Sequence, residues 1–174
     1  MICIVAALGG PFSTAIGAET EFEVAPTELN PNFVGKEKKP WEEQAVVLPP
    51  YPENESASTI TLPIVGTDYI YTMDLDALSA DPDGVIRYSI AVTAPTGISN
   101  LFYEGMRCLK AEYKTYAYGN QGKWNKAVYA AWRRVTRGAG LDFRRALYQG
   151  YFCDEMSQPF DRQRIVELLK ETDR

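Results

Sequence analysis

The sequence predicts an α+β domain: an antiparallel β-meander of about four or five strands, C-terminal helices and one disulfide. Two observations carry the prediction. Period-two alternation and closely spaced turn residues dominate residues 69–122, whereas helical spacing is clearest only beyond residue 140. Strands first and helices later is the order expected of α+β chains.

The elements follow in chain order. Residues 1–18 carry no charge, are rich in apolar and small residues, and then meet Glu19, Glu21 and Glu23. This reads as the later part of a secretory signal peptide, with Ala15, Gly17 and Ala18 as the small residues near a cleavage point. A buried N-terminal strand is the competing reading. The missing basic segment implies a start further upstream or a clipped chain. Gly and Pro break the stretch too often for a comfortable transmembrane helix, so none is expected in the mature chain. Cys3 lacks the residues of a lipid-anchoring motif.

Residues 19–58 read as an extended, acidic, Pro-rich arm, with Pro26, Pro31, Pro40, Pro49, Pro50 and Pro52 removing backbone donors. Trp41 and Val46-Val47-Leu48 are its apolar anchors. Residues 59–174 form the single α+β domain. Tyr69–Asp74 reads as a strand, followed by a short or single helical turn through Leu75–Ala80. Asp81-Pro82-Asp83-Gly84 is a turn, because Pro presets φ and Gly accepts a positive one. Val85–Thr93 alternates cleanly, with Ile86, Tyr88, Ile90 and Val92 on one face. Ala94-Pro95-Thr96-Gly97 ends it. Ser99–Cys108 and Ala111–Tyr118 are two further strands, and Gly119–Gly122 closes a hairpin. Trp124–Arg137 either continues the sheet or begins a helix. Asp142 is placed to N-cap a helix carrying Phe143, Ala146, Leu147 and Tyr151, and Asp161–Thr172 forms a last helix with Ile165, Leu168 and Leu169 as its stripe.

Composition narrows the chemistry. The 174 residues contain no His and three Cys. That excludes Ser-His-Asp triads, Cys-His dyads, His-ligated zinc and four-thiolate metal sites within one chain. If the leader is removed, Cys3 goes with it, and an exported chain keeps two cysteines. A Cys108–Cys153 disulfide is then expected, with two buried free thiols in a cytosolic protein as the alternative.

The net charge of −5 is unevenly distributed: residues 19–83 hold 14 acids and 3 bases, and residues 84–174 hold 15 bases and 9 acids. Either the acidic arm lies near a basic domain, or the basic half binds an anionic surface through Arg133, Arg134, Arg137, Arg144 and Arg145. No recognition helix, zinc finger or RNA-binding motif accompanies these bases, which argues against nucleic acid.

Asp74, Asp76, Asp81 and Asp83 lack the spacing of a calcium loop and read as solvated turn residues. Glu104 and Arg107 fall on opposite faces of an ideal strand, and a bulge at Gly105 would join them as an ion pair or binding site. The tyrosines and tryptophans read mainly as strand and core residues, with a stacking platform as the alternative. No catalytic, cofactor-binding or metal-ligating residue is assigned, and no cofactor is expected.

Taken in order, Asp74-Leu-Asp76-Ala-Leu-Ser79, Asp83-Gly84-Val-Ile-Arg87-Tyr88, Gly97-Ile-Ser-Asn100, Tyr103-Glu104-Gly105-Met-Arg107-Cys108, Tyr116-Ala-Tyr-Gly119, Trp124, Trp132, Arg145-Ala-Leu-Tyr148 and Tyr151-Phe-Cys153 resemble the family of the cryptic neisserial protein. These are exported proteins found chiefly among β-proteobacteria. The resemblance spans residues 41–170 and includes Leu48-Pro-Pro-Tyr-Pro52. It implies an exported single domain whose two cysteines are Cys108 and Cys153, and it carries over no catalytic residue, because the family has no established activity. It also leads us to expect His where Arg144 stands, a departure that speaks against catalysis.

The expectation is therefore a periplasmic or secreted, envelope-associated binding domain whose partner is an envelope protein or an anionic surface. Its rivals are a hydrolase using carboxylates, with Glu104 as the acid, and an anion-binding module.

Overall fold

The computed structural model describes residues 39–52, 58–135 and 143–172. Pro40–Arg174 forms one compact unit, so the described end of the arm belongs to the domain. The strands are β1 (Thr59–Leu62), β2 (Ile70–Ala80), β3 (Val85–Thr93), β4 (Ser99–Arg107), β5 (Glu112–Asn120), β6 (Lys123–Lys126) and β7 (Arg133–Arg134). They form one antiparallel sheet in the order β1 to β6, with β7 paired to β5 beside the stretch that β6 covers. The sheet thus extends the expected meander at both ends. Of the stretch Trp124–Arg137, which either continues the sheet or begins a helix, the described residues give β6 and β7 of the sheet, joined by a loop.

Two hairpins use one device. In Asp81–Gly84 and Ala94–Gly97 the Gly N–H donates back to the carbonyl of the first residue, and the glycines adopt φ of 77° and 83°. A side chain would be strained there. These turns fix β3 against β2 and β4, and the alternation of Ile86, Tyr88 and Ile90 then becomes one buried face.

Leu75–Ala80 departs from the expected turn. It continues β2 through a wide irregularity between Asp74 and Ser79. The reason lies outside the strand. Arg162 donates from Nε to the Leu78 carbonyl at 2.9 Å and from Nη2 to the Leu75 carbonyl at 2.8 Å, satisfying acceptors that the broken ladder leaves open. Leu75 and Leu78 can then enter the core.

The helical layer comprises α1 (Phe143–Leu147), a π-turn over Tyr148–Phe152, and α2 (Arg162–Thr172). Asp161 caps α2 by accepting from the Arg164 N–H at 2.8 Å. The cap expected from Asp142 lies outside the described residues. Ile165 and Leu169, with Phe143, Leu147 and Phe152, pack on Met73, Ile86, Tyr88, Ile90 and Met106 to form the main core. Cys108 and Cys153 are joined in a disulfide across this interface. Among the described residues no helix is long and apolar enough to cross a membrane.

Candidate functional site

Each face of the sheet carries a polar constellation. On the helix face Glu104 is fully buried in β4. Its Oε2 accepts from Tyr88 Oη at 3.0 Å and Arg144 Nε at 2.9 Å; its Oε1 accepts from Thr115 Oγ1 at 2.6 Å and Arg144 Nη2 at 2.7 Å. Both carboxylate oxygens are thus engaged twice, and Arg144 grips them in the two-pronged geometry that only a guanidinium offers. The guanidinium also lies 4.3 Å from the ring centres of Phe143 and Tyr113. Burial opposes its charge, but the bonds to Glu104 outweigh that and raise its pKa.

Glu104 and Arg107 do not pair. The alternation of β4 runs unbroken through Gly105, because the extra residue lies on β5: Tyr103 faces Ala117 and Glu104 faces Thr115, leaving Tyr116 unmatched. Arg107 therefore emerges on the opposite face and approaches Glu112 at 3.8 Å. The bulge has a second effect. It swings the Tyr116 ring over Gly105, where any added Cβ would lie 2.8 and 2.9 Å from ring carbons.

The opposite face is covered by residues 40–52, an irregular strap. Glu43 is its centre. Lys114 Nζ donates to Oε2 at 2.8 Å, Tyr116 Oη to Oε1 at 2.7 Å, and Trp132 Nε1 to Oε2 at 3.3 Å. Burial pushes the Glu43 carboxyl up, but these bonds outweigh it and hold its pKa below the ordinary value. Burial, aided by the bond to Glu43, raises Tyr116, so the phenol stays protonated. Arg107 lies 3.8 Å from the ring centre of Trp41 and 5.2 Å from that of Trp132. Trp124 Nε1 donates to the Pro49 carbonyl at 3.0 Å.

Asp81 and Asp83 are not solvated turn carboxylates. Both bind the buried Arg87, and Asp83 also accepts from the Gln44 N–H at 2.9 Å, tying the strap to the turn. Burial raises Asp83, and Arg87 with the two backbone donors overcomes that and lowers it.

Beside the strap lies a cavity of about 340 Å³ lined by Glu43, Val46, Leu48, Lys114, Tyr116 and Lys126, among others. Its size is that of a small-ligand cleft. Among the described residues no three His, Cys, Asp or Glu side chains gather as a metal site would require.

The five arginines expected to form one anionic-surface site are not equivalent. Arg144 is committed to Glu104. Arg145 donates to Gln149 at 3.1 Å. Arg133 and Arg134 are exposed in β7 and, as strand neighbours, point to opposite faces. Arg137 lies outside the described residues.

Two features were not singled out in the sequence: the Glu43 hub and the Arg144–Glu104 clamp. The Asp-Pro-Asp-Gly turn signalled its own geometry but not its grip on Arg87.

Fold and site together define a disulfide-stapled antiparallel-sheet domain whose polar groups are engaged mainly with one another. The model of the CNP1-like family matches residues 36–170, and the chain belongs to that family. No curated protein and no solved structure matches the chain.

Proposed function

We propose that this protein is an exported, envelope-associated binding domain with no chemistry of its own. The carrying observation is the mutual pairing of its buried and half-buried charged side chains, Arg87 with Asp83, Lys114 with Glu43 and Arg144 with Glu104. Glu43 and Asp83 are lowered, Tyr103 and Tyr116 are raised, and Arg87 and Arg144 are raised. Every one of these shifts moves away from neutrality, whereas an acid or base in turnover works best with a pKa near the working pH. Glu104, the carboxylate expected of a hydrolase, is fully buried with both oxygens occupied. Export is supported by the core disulfide, because thiols in this position stay reduced in the cytosol. Fractionating cells that carry the chain with a C-terminal tag tests the reading. Recovery outside the cytoplasm with both cysteines oxidised supports it; cytoplasmic recovery with free thiols overturns it.

A further inference from the structure

Between β6 and β7 the chain leaves the sheet and returns to it. Lys126-Ala-Val-Tyr-Ala-Ala-Trp-Arg133-Arg134 contains six uncharged residues bracketed by cations. Val128 and Tyr129 form the tip and are 84% and 87% exposed, and Ala130 and Ala131 beside them are also exposed. Large apolar side chains displayed this openly at a loop tip mark a contact surface.

The base of the loop is fixed at both ends. Ala127 N–H donates to the Tyr116 carbonyl at 2.8 Å, Trp132 Nε1 reaches Glu43, and β6 and β7 both pair with β5. Ala127 and Ala130 line the same cavity as Val46 and Leu48. The tip is thus a protrusion held in place before it meets anything.

Charge identifies the partner. Residues 113–141 hold six bases and no acid. Lys126, Arg133 and Arg134 lie at the foot of the loop, exposed and without a salt bridge to any described residue. Two acids on neighbouring elements are already engaged: Glu43 by Lys114, and Glu112, opposite Arg134, by Arg107. An apolar and aromatic tip within a cationic collar matches the boundary of an anionic bilayer, where Tyr sits at headgroup depth and Lys and Arg meet lipid phosphates. A four-residue tip is also too small for the area, about 1,200 Å² or more, that a stable protein pair buries.

We propose that loop 127–132 docks the domain on an anionic membrane surface, inserting Val128 and Tyr129 among the headgroups while Lys126 and Arg134, which share one face of the sheet, contact phosphates. The inference rests on the envelope-associated reading above and fails separately from it, because localisation and thiol state are read in cells and docking is read on purified protein.

The test is sedimentation of the oxidised chain with vesicles of equal parts phosphatidylglycerol and phosphatidylcholine, against pure phosphatidylcholine. Retention is expected only on the anionic vesicles, weakening as salt rises. Val128→Ser with Tyr129→Ser should reduce it about tenfold or more, since the apolar tip is lost. Lys126→Gln with Arg134→Gln should reduce it about 25-fold, near fivefold per cation. Circular dichroism should be unchanged in both, the four side chains being exposed. No retention on anionic vesicles at low salt overturns the proposal. So does retention that the tip variant leaves intact, or a dimer that the tip variant dissolves without any vesicle binding.

Discussion

Replacing Glu104 by Gln keeps its shape and removes its charge, so the Arg144 guanidinium at the sheet–helix interface loses the carboxylate it grips with two bonds. Breaking a buried pair from one side costs about 3–5 kcal/mol, because the remaining charge stays desolvated. Glu104→Gln should therefore lower unfolding free energy by that amount in urea titration; a change under about 1 kcal/mol would mean that the clamp contributes no stability. Gly105→Ala tests the opposite face. The new methyl would collide with the Tyr116 ring, and overpacking of this kind costs about 1–3 kcal/mol. Ser89 should behave in the reverse sense. Its buried Oγ has no hydrogen-bond partner among the described residues, so Ser89→Ala should leave stability unchanged or raise it by about 1 kcal/mol in the same titration. The Tyr-Glu-Gly-Met-Arg-Cys run is accounted for residue by residue: Tyr103 packs on Tyr116 and Trp124, Glu104 clamps α1, Gly105 makes room, Met106 fills the core, Arg107 stacks on tryptophans and Cys108 forms the staple.

The strap over residues 40–52 is an element held largely by two carboxylates, Glu43 and Asp83, both with depressed pKa values in the fold. A depressed carboxylate stabilises fully above its unfolded value, 4.5 for Glu43 and 3.8 for Asp83, and loses that contribution as pH falls through the lower folded value. The strap should stay seated from neutrality to about pH 5 and detach at lower pH, before or together with global unfolding. All three tryptophans report it: Trp41 lies in the strap, Trp132 bonds Glu43, and Trp124 bonds Pro49. Their fluorescence should change below pH 4.5, and Glu43→Gln should produce part of that change at neutral pH; a flat profile down to pH 2 would contradict this. The strap also marks the limit of what the sequence discloses. Strands β3 and β4 were legible because alternation and flanking turns are local signals. The bulged half of β2 was not, because Arg162 satisfies its carbonyls from more than 80 residues away. Arg107 drew attention as the near neighbour of Glu104, yet the true partner sits 40 residues on, brought there by helix packing that no spacing encodes. Trp41, Val46 and Leu48 were recognisable as anchors, but Glu43 beside them was one acid among many.

At the scale of the molecule, the helical layer is joined to the sheet by two specific fasteners as well as by apolar packing. One is the Arg144–Glu104 clamp. The other is the Cys108–Cys153 disulfide, which links the end of β4 to the end of the π-turn across a Cα separation of 5.6 Å. Tyr148 Oη donates to the Cys108 carbonyl at 3.3 Å, and the Phe152 ring centre lies 5.1 Å from that of Tyr88, so fasteners and core adjoin. The bridge spans a sequence separation of 45, for which the chain-entropy account gives about 4 kcal/mol. Replacing both cysteines by Ala should lower the unfolding free energy by about 3–4 kcal/mol. Because the sheet β2–β5 has its own ladders, amide exchange should quicken first in residues 143–160 and last in β3 and β4. Uniform quickening would instead mean that sheet and helices unfold as one cooperative unit. The two fasteners hold the same helical segment to the same strand, so their losses should not be independent. Combining Glu104→Gln with the cysteine replacements should depart from additivity by more than about 0.5 kcal/mol, and strict additivity would show that each secures its own contacts.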